Sequence, residues 1–125
     1  MFQLEGIDHV AISVRDVKQA ANWYAEVLGL ERRHIGMWGG IPAFVGKGQT
    51  ALALFPRKEK TDGAKSSGPR LLHFAFRAKR ADFALAQQAL ANRGIDFHFA
   101  DHGISHSIYF RDLDDHEIEI TTYEF

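Results

Sequence analysis

The chain has 125 residues, 46% of them hydrophobic and 25% charged, with a formal net charge of −1 at pH 7. That length suits one small domain with enough apolar mass for a core, and so small a net charge excludes long-range attraction to nucleic acid or to an anionic membrane. With no cysteine there is no disulfide, thiol nucleophile or thiolate metal site. No leader-like start and no apolar run of membrane-spanning length is visible, so a soluble, cytoplasmic protein is expected. Seven histidines in so short a chain draw attention to metal binding, which imidazole serves more often than any other side chain. Their positions have to decide.

Residues 7–14, IDHVAISV, alternate and are rich in β-branched side chains, which predicts a strand. In the following RDVKQAANWYAEVLGLE, Val17, Ala20, Ala21, Tyr24 and Leu28 recur at helical spacing, with Asp16 as N-cap and Gly29 as stop. Trp23 and Tyr24 read as core or interface residues. A weak strand near Arg32–Trp38 is followed by a Gly39-Gly40 hairpin turn and by strands in PAFVGKG and TALALFP. Residues 57–70, RKEKTDGAKSSGPR, read as a flexible connector. LLHFAFRA predicts another strand. ADFALAQQALANRG predicts a second helix, with Asp82 as candidate cap and Gly94 as stop. IDFHFA, SHSIYFRD and EIEITTY predict three more strands, with His116 solvent-exposed in the turn before the last.

The two halves repeat one another. DHVAISV lies over LHFAFRA, which matches His9 to His73, and TALALF lies over EIEITT, which sets Ala53 against Glu119. Two similar halves paired about a pseudo-twofold axis are expected. Strand side chains alternate between faces. Val10, Ile12, Val14, Phe74, Phe76, Ile108, Phe110, Ile118 and Ile120 form the apolar faces that pack under the helices. The opposite faces carry His9, His73, Ser107, Tyr109, Arg111, Glu117 and Glu119 among small residues. Two readings stay open. One is an antiparallel sheet with a face simply in water. The other is a wet cleft in which His9, His73 and Glu119 form the facial set that suits divalent first-row metals with open coordination positions.

IDHVAISVRDVKQAANWYAEVLGLE, LLHFAFRA and IYFRDLDDHEIEI together resemble the vicinal oxygen chelate superfamily, which includes glyoxalase I, bleomycin resistance proteins, fosfomycin-modifying enzymes and extradiol dioxygenases. The resemblance runs over essentially the whole chain. The family's usual Asp-Pro-Asp-Gly turn is here Asp112-Leu113-Asp114-Asp115. The resemblance implies an α+β fold of two βαβββ modules, 1–60 and 70–125, joined by the 57–70 connector. The modules would form a curved mixed sheet of half-barrels enclosing a metal-binding cavity, with the helices outside. It also implies His9, His73 and Glu119 as metal ligands, and Tyr109 and His102 as catalytic groups. Fe2+ or Mn2+ comes before Zn2+ or Ni2+ as the divalent ion.

A small-molecule substrate and a homodimer are implied as partners, with no nucleic acid and no membrane. Ala53 stands where glyoxalase I enzymes carry a fourth ligand, usually Glu. The chain ends in ITTYEF, without the Arg that fosfomycin enzymes usually place after the Glu strand, although Arg77, Arg111 and Lys47 remain as cations. The activity implied is that of a metal-dependent enzyme on a substrate chelating through adjacent oxygens, dioxygenase-like first and lyase or isomerase otherwise. The alternatives are a fosfomycin-modifying transferase or hydrolase and a non-catalytic small-ligand (antibiotic) binding protein.

Overall fold

A computed structural model describes residues 1–58 and 68–125. The expected connector at 57–70 lies, over 59–67, outside the described residues. The chain divides into two compact units, Met1–Lys65 and Ser66–Phe125.

The first unit runs β1 (His9–Val14), α1 (Val17–Leu28), β2 (Glu31–Arg33), a 3-10 turn at Trp38–Gly40, β3 (Ala43–Lys47) and β4 (Thr50–Pro56). Its sheet order is β1-β4-β3-β2, with β1 parallel to β4 and the other pairs antiparallel. The second unit runs β5 (Phe74–Arg77), α2 (Arg80–Asn92), β6 (His98–Asp101), β7 (His106–Arg111) and β8 (Glu117–Thr122). Its order is β5-β8-β7-β6, again with one parallel pair, β5 with β8. Two mixed four-stranded sheets of identical topology, each with one helix, are the α+β duplication read from the sequence. The weak strand shrinks to Glu31–Arg33, and the glycine pair falls in the 3-10 turn that leads back to β3.

Helix α1 starts and stops as its sequence predicts. The Asp16 carboxylate accepts from the Gln19 amide at 3.0 Å. Gly29 closes the helix at φ 68°, a left-handed conformation that costs glycine nothing, and its N–H bonds back to the last turn. Ala20, Ala21 and Tyr24 are buried as α1 packs on β3 and β4, where Val45, Leu52 and Leu54 complete the core. Trp23 is half-buried and edge-on to Tyr24.

Helix α2 departs from expectation. Asp82 lies in its first turn, while the cap position is Lys79, which makes no side-chain cap bond. The Arg80 amide instead donates to the Glu124 carboxylate at 3.0 Å. A residue 44 positions away caps the helix, so no local pattern could reveal it. Phe83 and Leu90 are the buried residues of α2, and beneath the helix lie Ile118 and Ile120 of β8, with Ile108 and Phe110 of β7 in the same core. Each such side chain contributes about 1.5–3 kcal/mol on burial. Strand β5 begins at Phe74, which pairs with Ile118. His73 therefore lies just ahead of the strand on which it was expected, because the ladder has no rung beyond that point.

The β7–β8 turn is held by Asp112, a largely buried carboxylate. Its Oδ1 accepts from the amides of Asp114 and His116, both at 2.9 Å, and its Oδ2 meets His116 Nδ1 at 2.8 Å. His116 is thus half-buried and paired, not the free surface residue expected. Asp115 takes φ 69°, the left-handed slot where the family's turn has glycine.

Two predictions follow from this turn. Asp115→Gly relieves a left-handed cost of about 1–2 kcal/mol against an entropic penalty of about 0.5–1 kcal/mol, so it raises unfolding free energy by about 0.5 kcal/mol in urea titration. The hydrogen bond to Asp112, joined by the nearby negative charge and opposed by burial, raises the His116 pKa above its ordinary 6.5. A raised folded pKa means the pair's stabilisation is full below about pH 6.5 and is lost as pH climbs through the folded value. The stability gap between wild type and His116→Ala, about 1–2 kcal/mol at pH 6, should therefore narrow by pH 9. A gap that widens with pH contradicts the pairing.

Candidate functional site

In the second unit the face of β8 opposite the core presents Glu117, Glu119 and Thr121. Register sets Ala75 on one side of Glu119 and Tyr109 on the other. The small alanine leaves room beside the carboxylate. Glu119 Oε1 lies 3.0 Å from His73 Nε2, and Glu117 Oε2 lies 3.6 Å from His73 Nδ1. The Ser107 hydroxyl donates to Glu119 Oε2 at 2.5 Å and lies 3.0 Å from Thr121 Oγ1. The side chain of Glu119 is only 12% exposed, so both its oxygens depend on these partners.

Tyr109 stands beside this group, its ring 5.6 Å from that of His73. Its hydroxyl is 3.0 Å from His102 Nε2. His102 is fixed on the tight β6–β7 turn by its own amide, which donates to Ser105 O, while Asp101 accepts from the Gly103 amide. Partial burial, then the charge of Glu119 and its hydrogen bond with the phenol, push the Tyr109 pKa above its ordinary value of 10.0. The phenol is therefore a neutral donor near pH 7, not the acidified group that a base role requires.

In the first unit, His9 opens β1 and its Nδ1 is 2.8 Å from the Asp8 carboxylate. Its ring is edge-on to Phe44 at 5.2 Å. His34 and Trp38 pack against the same Phe44 at 5.0 and 5.5 Å. Phe44, His34, Arg33 and Asp8 help to line an open pocket of about 440 Å³, within the size range of small-ligand sites.

The register also tests the repeat. Ala53 sits between Ala11 and Phe44 as Glu119 sits between Ala75 and Tyr109. His9 and His73 each stand two residues before the matching alanine, so the two histidines are equivalent. The same ladders match Ala51 to Glu117, Phe55 to Thr121 and Gly46 to Arg111. The carboxylates and hydroxyls are thus concentrated on this face of the second unit, whereas the first unit has His9 and His34 packed against Phe44.

The structure brings His73 to Glu119 and Tyr109 to His102; His9 lies in the first unit. Among the described residues, neither unit by itself gathers three His, Asp or Glu side chains into a metal-holding group. In donor chemistry the residues suit a divalent ion. His73 and Glu119 offer an imidazole nitrogen and a carboxylate oxygen at one point, and Asp8 occupies His9 Nδ1, which leaves Nε2 available. Asp8 and the Ser107–Glu119 bond escaped the sequence reading. Asp8 immediately before His9 was the only available hint, and Ser107 stood out no more than its neighbours on an alternating strand.

The family model described as Glyoxalase/Bleomycin resistance protein/Dioxygenase superfamily matches residues 6–120. No curated protein sequence matches the chain. Among solved structures, lactoylglutathione lyase from Agrobacterium tumefaciens is 22% identical over 95% of this chain and 94% of its own, with a TM-score of 0.73. A glyoxylase/bleomycin resistance protein/dioxygenase domain from Frankia sp. EAN1pec is 25% identical over 96% and 93%, with a TM-score of 0.77. Fosfomycin resistance protein FosX from Mesorhizobium loti is 23% identical over 96% and 93%, with a TM-score of 0.68. Duplicated βαβββ topology, repeat-equivalent histidines and a family match over nearly its full length agree: the chain belongs to the glyoxalase/bleomycin resistance protein/dioxygenase superfamily.

Proposed function

We propose that this protein is a divalent-metal-dependent enzyme acting on a small substrate with two adjacent oxygens, with His9, His73 and Glu119 as the metal-holding residues. The observation that carries this reading is the convergence of His73 Nε2 and Glu119 Oε1 to 3.0 Å beside the hydrogen-bonded Tyr109–His102 pair. A bound divalent cation would supply Lewis acidity toward the two substrate oxygens and lower the pKa of a hydroxyl among them. The protein's part is to hold and move the proton. Tyr109 Oη, kept protonated by burial and by Glu119, donates a hydrogen bond to a substrate oxygen. His102 Nε2, 3.0 Å behind it, donates to the phenol oxygen in its Nε2–H tautomer and so leaves the phenol's one proton for the substrate.

Two observations rank the chemistries. Ala53 is buried and has no donor atom, so the first half offers no fourth carboxylate, which favours a three-ligand, dioxygenase-like site. The three cations singled out for a phosphonate, Arg77, Arg111 and Lys47, each face another partner. Arg77 lies over the Tyr123 ring at 4.8 Å, Arg111 bonds Asp115 O and faces Glu117, and Lys47 faces Glu31. The fosfomycin-type reading is the weaker one for that reason.

Protein purified without chelator should carry about one divalent ion per chain by elemental analysis. His73→Ala should weaken metal binding by more than the roughly 10–100-fold that loss of an outer partner costs, and its metal-free melting temperature should stay near wild type. Metal retained at full affinity in His73→Ala overturns the ligand assignment. Catechols should raise the melting temperature of the loaded protein more than fosfomycin or methylglyoxal–thiol adducts do. On the substrate so found, Tyr109→Phe should lower kcat by about 10²-fold or more with little change in binding.

A further inference from the structure

We propose that Ser107 is a positioning residue for Glu119, fixing which of its two oxygens is free to bind metal. The proposal deepens the metal-site reading above and rests on it. A carboxylate on a strand can rotate about its terminal bond and offer either oxygen, or both. Here one oxygen is committed. Ser107 is fully buried on β7, and its hydroxyl donates to Glu119 Oε2 at 2.5 Å, the short distance of a hydroxyl bonded to a charged acceptor. Oε1 is left turned toward His73 Nε2.

The serine is itself held. With its one proton on Glu119, Ser107 Oγ accepts from Thr121 Oγ1, 3.0 Å away, which shares its single proton between Ser107 and the His106 carbonyl at 3.3 Å. Thr121 is the register partner of Ser107 across β7 and β8, so the line from Thr121 through Ser107 to Glu119 is fixed by the sheet ladder. The first unit has no counterpart. Counting back from Phe44, the position equivalent to Ser107 is Pro42, one residue ahead of β3, while Phe55 stands at the position of Thr121 and Ala53 offers no carboxylate to hold. Serine, threonine and carboxylate therefore occur together in the half that has a carboxylate to orient, and are absent together in the half that has none. A packing role alone would not require this, since a side chain of similar size would fill the space.

Cobalt(II) is the probe. With the chelator-treated 125-residue chain, Ser107→Ala should raise the cobalt dissociation constant by about 10–100-fold, the usual cost of losing an outer partner of a ligand. It should also change the cobalt visible absorption bands, which a merely structural role would leave in place. Ser107→Thr keeps the hydroxyl and should restore both. Unchanged cobalt affinity and bands in Ser107→Ala, or a Ser107→Thr variant as impaired as the alanine one, overturns the proposal. A second readout needs no metal. In wild-type apoprotein the Ser107 hydroxyl proton should be protected from solvent and shifted downfield in NMR spectra, and should move upfield in Glu119→Gln. Absence of that resonance overturns the positioning role by itself, whereas wild-type protein that binds no cobalt but shows the resonance overturns only the parent reading.

Discussion

Everything at this site depends on the register of β8 between its two neighbours. The strand pairs in parallel with β5 and antiparallel with β7, and both ladders agree on one rung: Ala75, Glu119, Tyr109. Alternation then does the sorting. Ile118 and Ile120 go into the core under α2 while Glu117 and Glu119 go to the other face. A slip of one residue would drive the carboxylates beneath the helix and the isoleucines into the site. Burying an unpaired carboxylate costs several kcal/mol, so the apolar core polices the placement of the functional groups. The Asp112 turn and the register are coupled, because at the closed end of the β7–β8 hairpin the Asp112 amide donates to the His116 carbonyl and the His116 amide to the Asp112 carboxylate.

What the sequence made legible was periodic. Period-two runs marked the strands that carry the cores, period-three-and-four spacing marked α1, Asp16 and Gly29 bounded it as local chemistry dictates, and Gly94 marked the end of α2. Duplication was legible too, and the ladders uphold the matches of His9 with His73 and Ala53 with Glu119. What remained hidden was tertiary. The Glu124 cap on α2, the Asp112–His116 pair and the Ser107–Glu119 bond each join residues whose types are unremarkable at their positions. Asp82 looked like a cap because it is acidic and lies near a helix start, but a carboxylate arriving from the C-terminal tail already satisfied the first amide.

After β8, Tyr123 receives Arg77, Glu124 receives the Arg80 amide, and Phe125 stacks on His106 at 3.9 Å. Three consecutive residues thereby tie the end of β5, the start of α2 and the start of β7 to one strand end. Each tie is worth little alone, about 1 kcal/mol or less for exposed contacts of these kinds. Their shared anchor means that β7, which bears His106, Ser107 and Tyr109, is held at its start as well as by the core.

One objection to the metal reading is that His73 and Glu119 already satisfy each other. The energies answer it. His73 is about one-third exposed and Glu119 only 12%, so the pair is worth more than an exposed one but no more than about 1.5–3 kcal/mol. Divalent ions bound by protein side chains yield far more, on the order of 10 kcal/mol for the structural zinc of small domains. A pair so weak is no barrier to a cation. What it does is hold an imidazole nitrogen and a carboxylate oxygen at one point, with Ser107 and Glu117 beside them, so that a cation bound there would cost little further side-chain freedom.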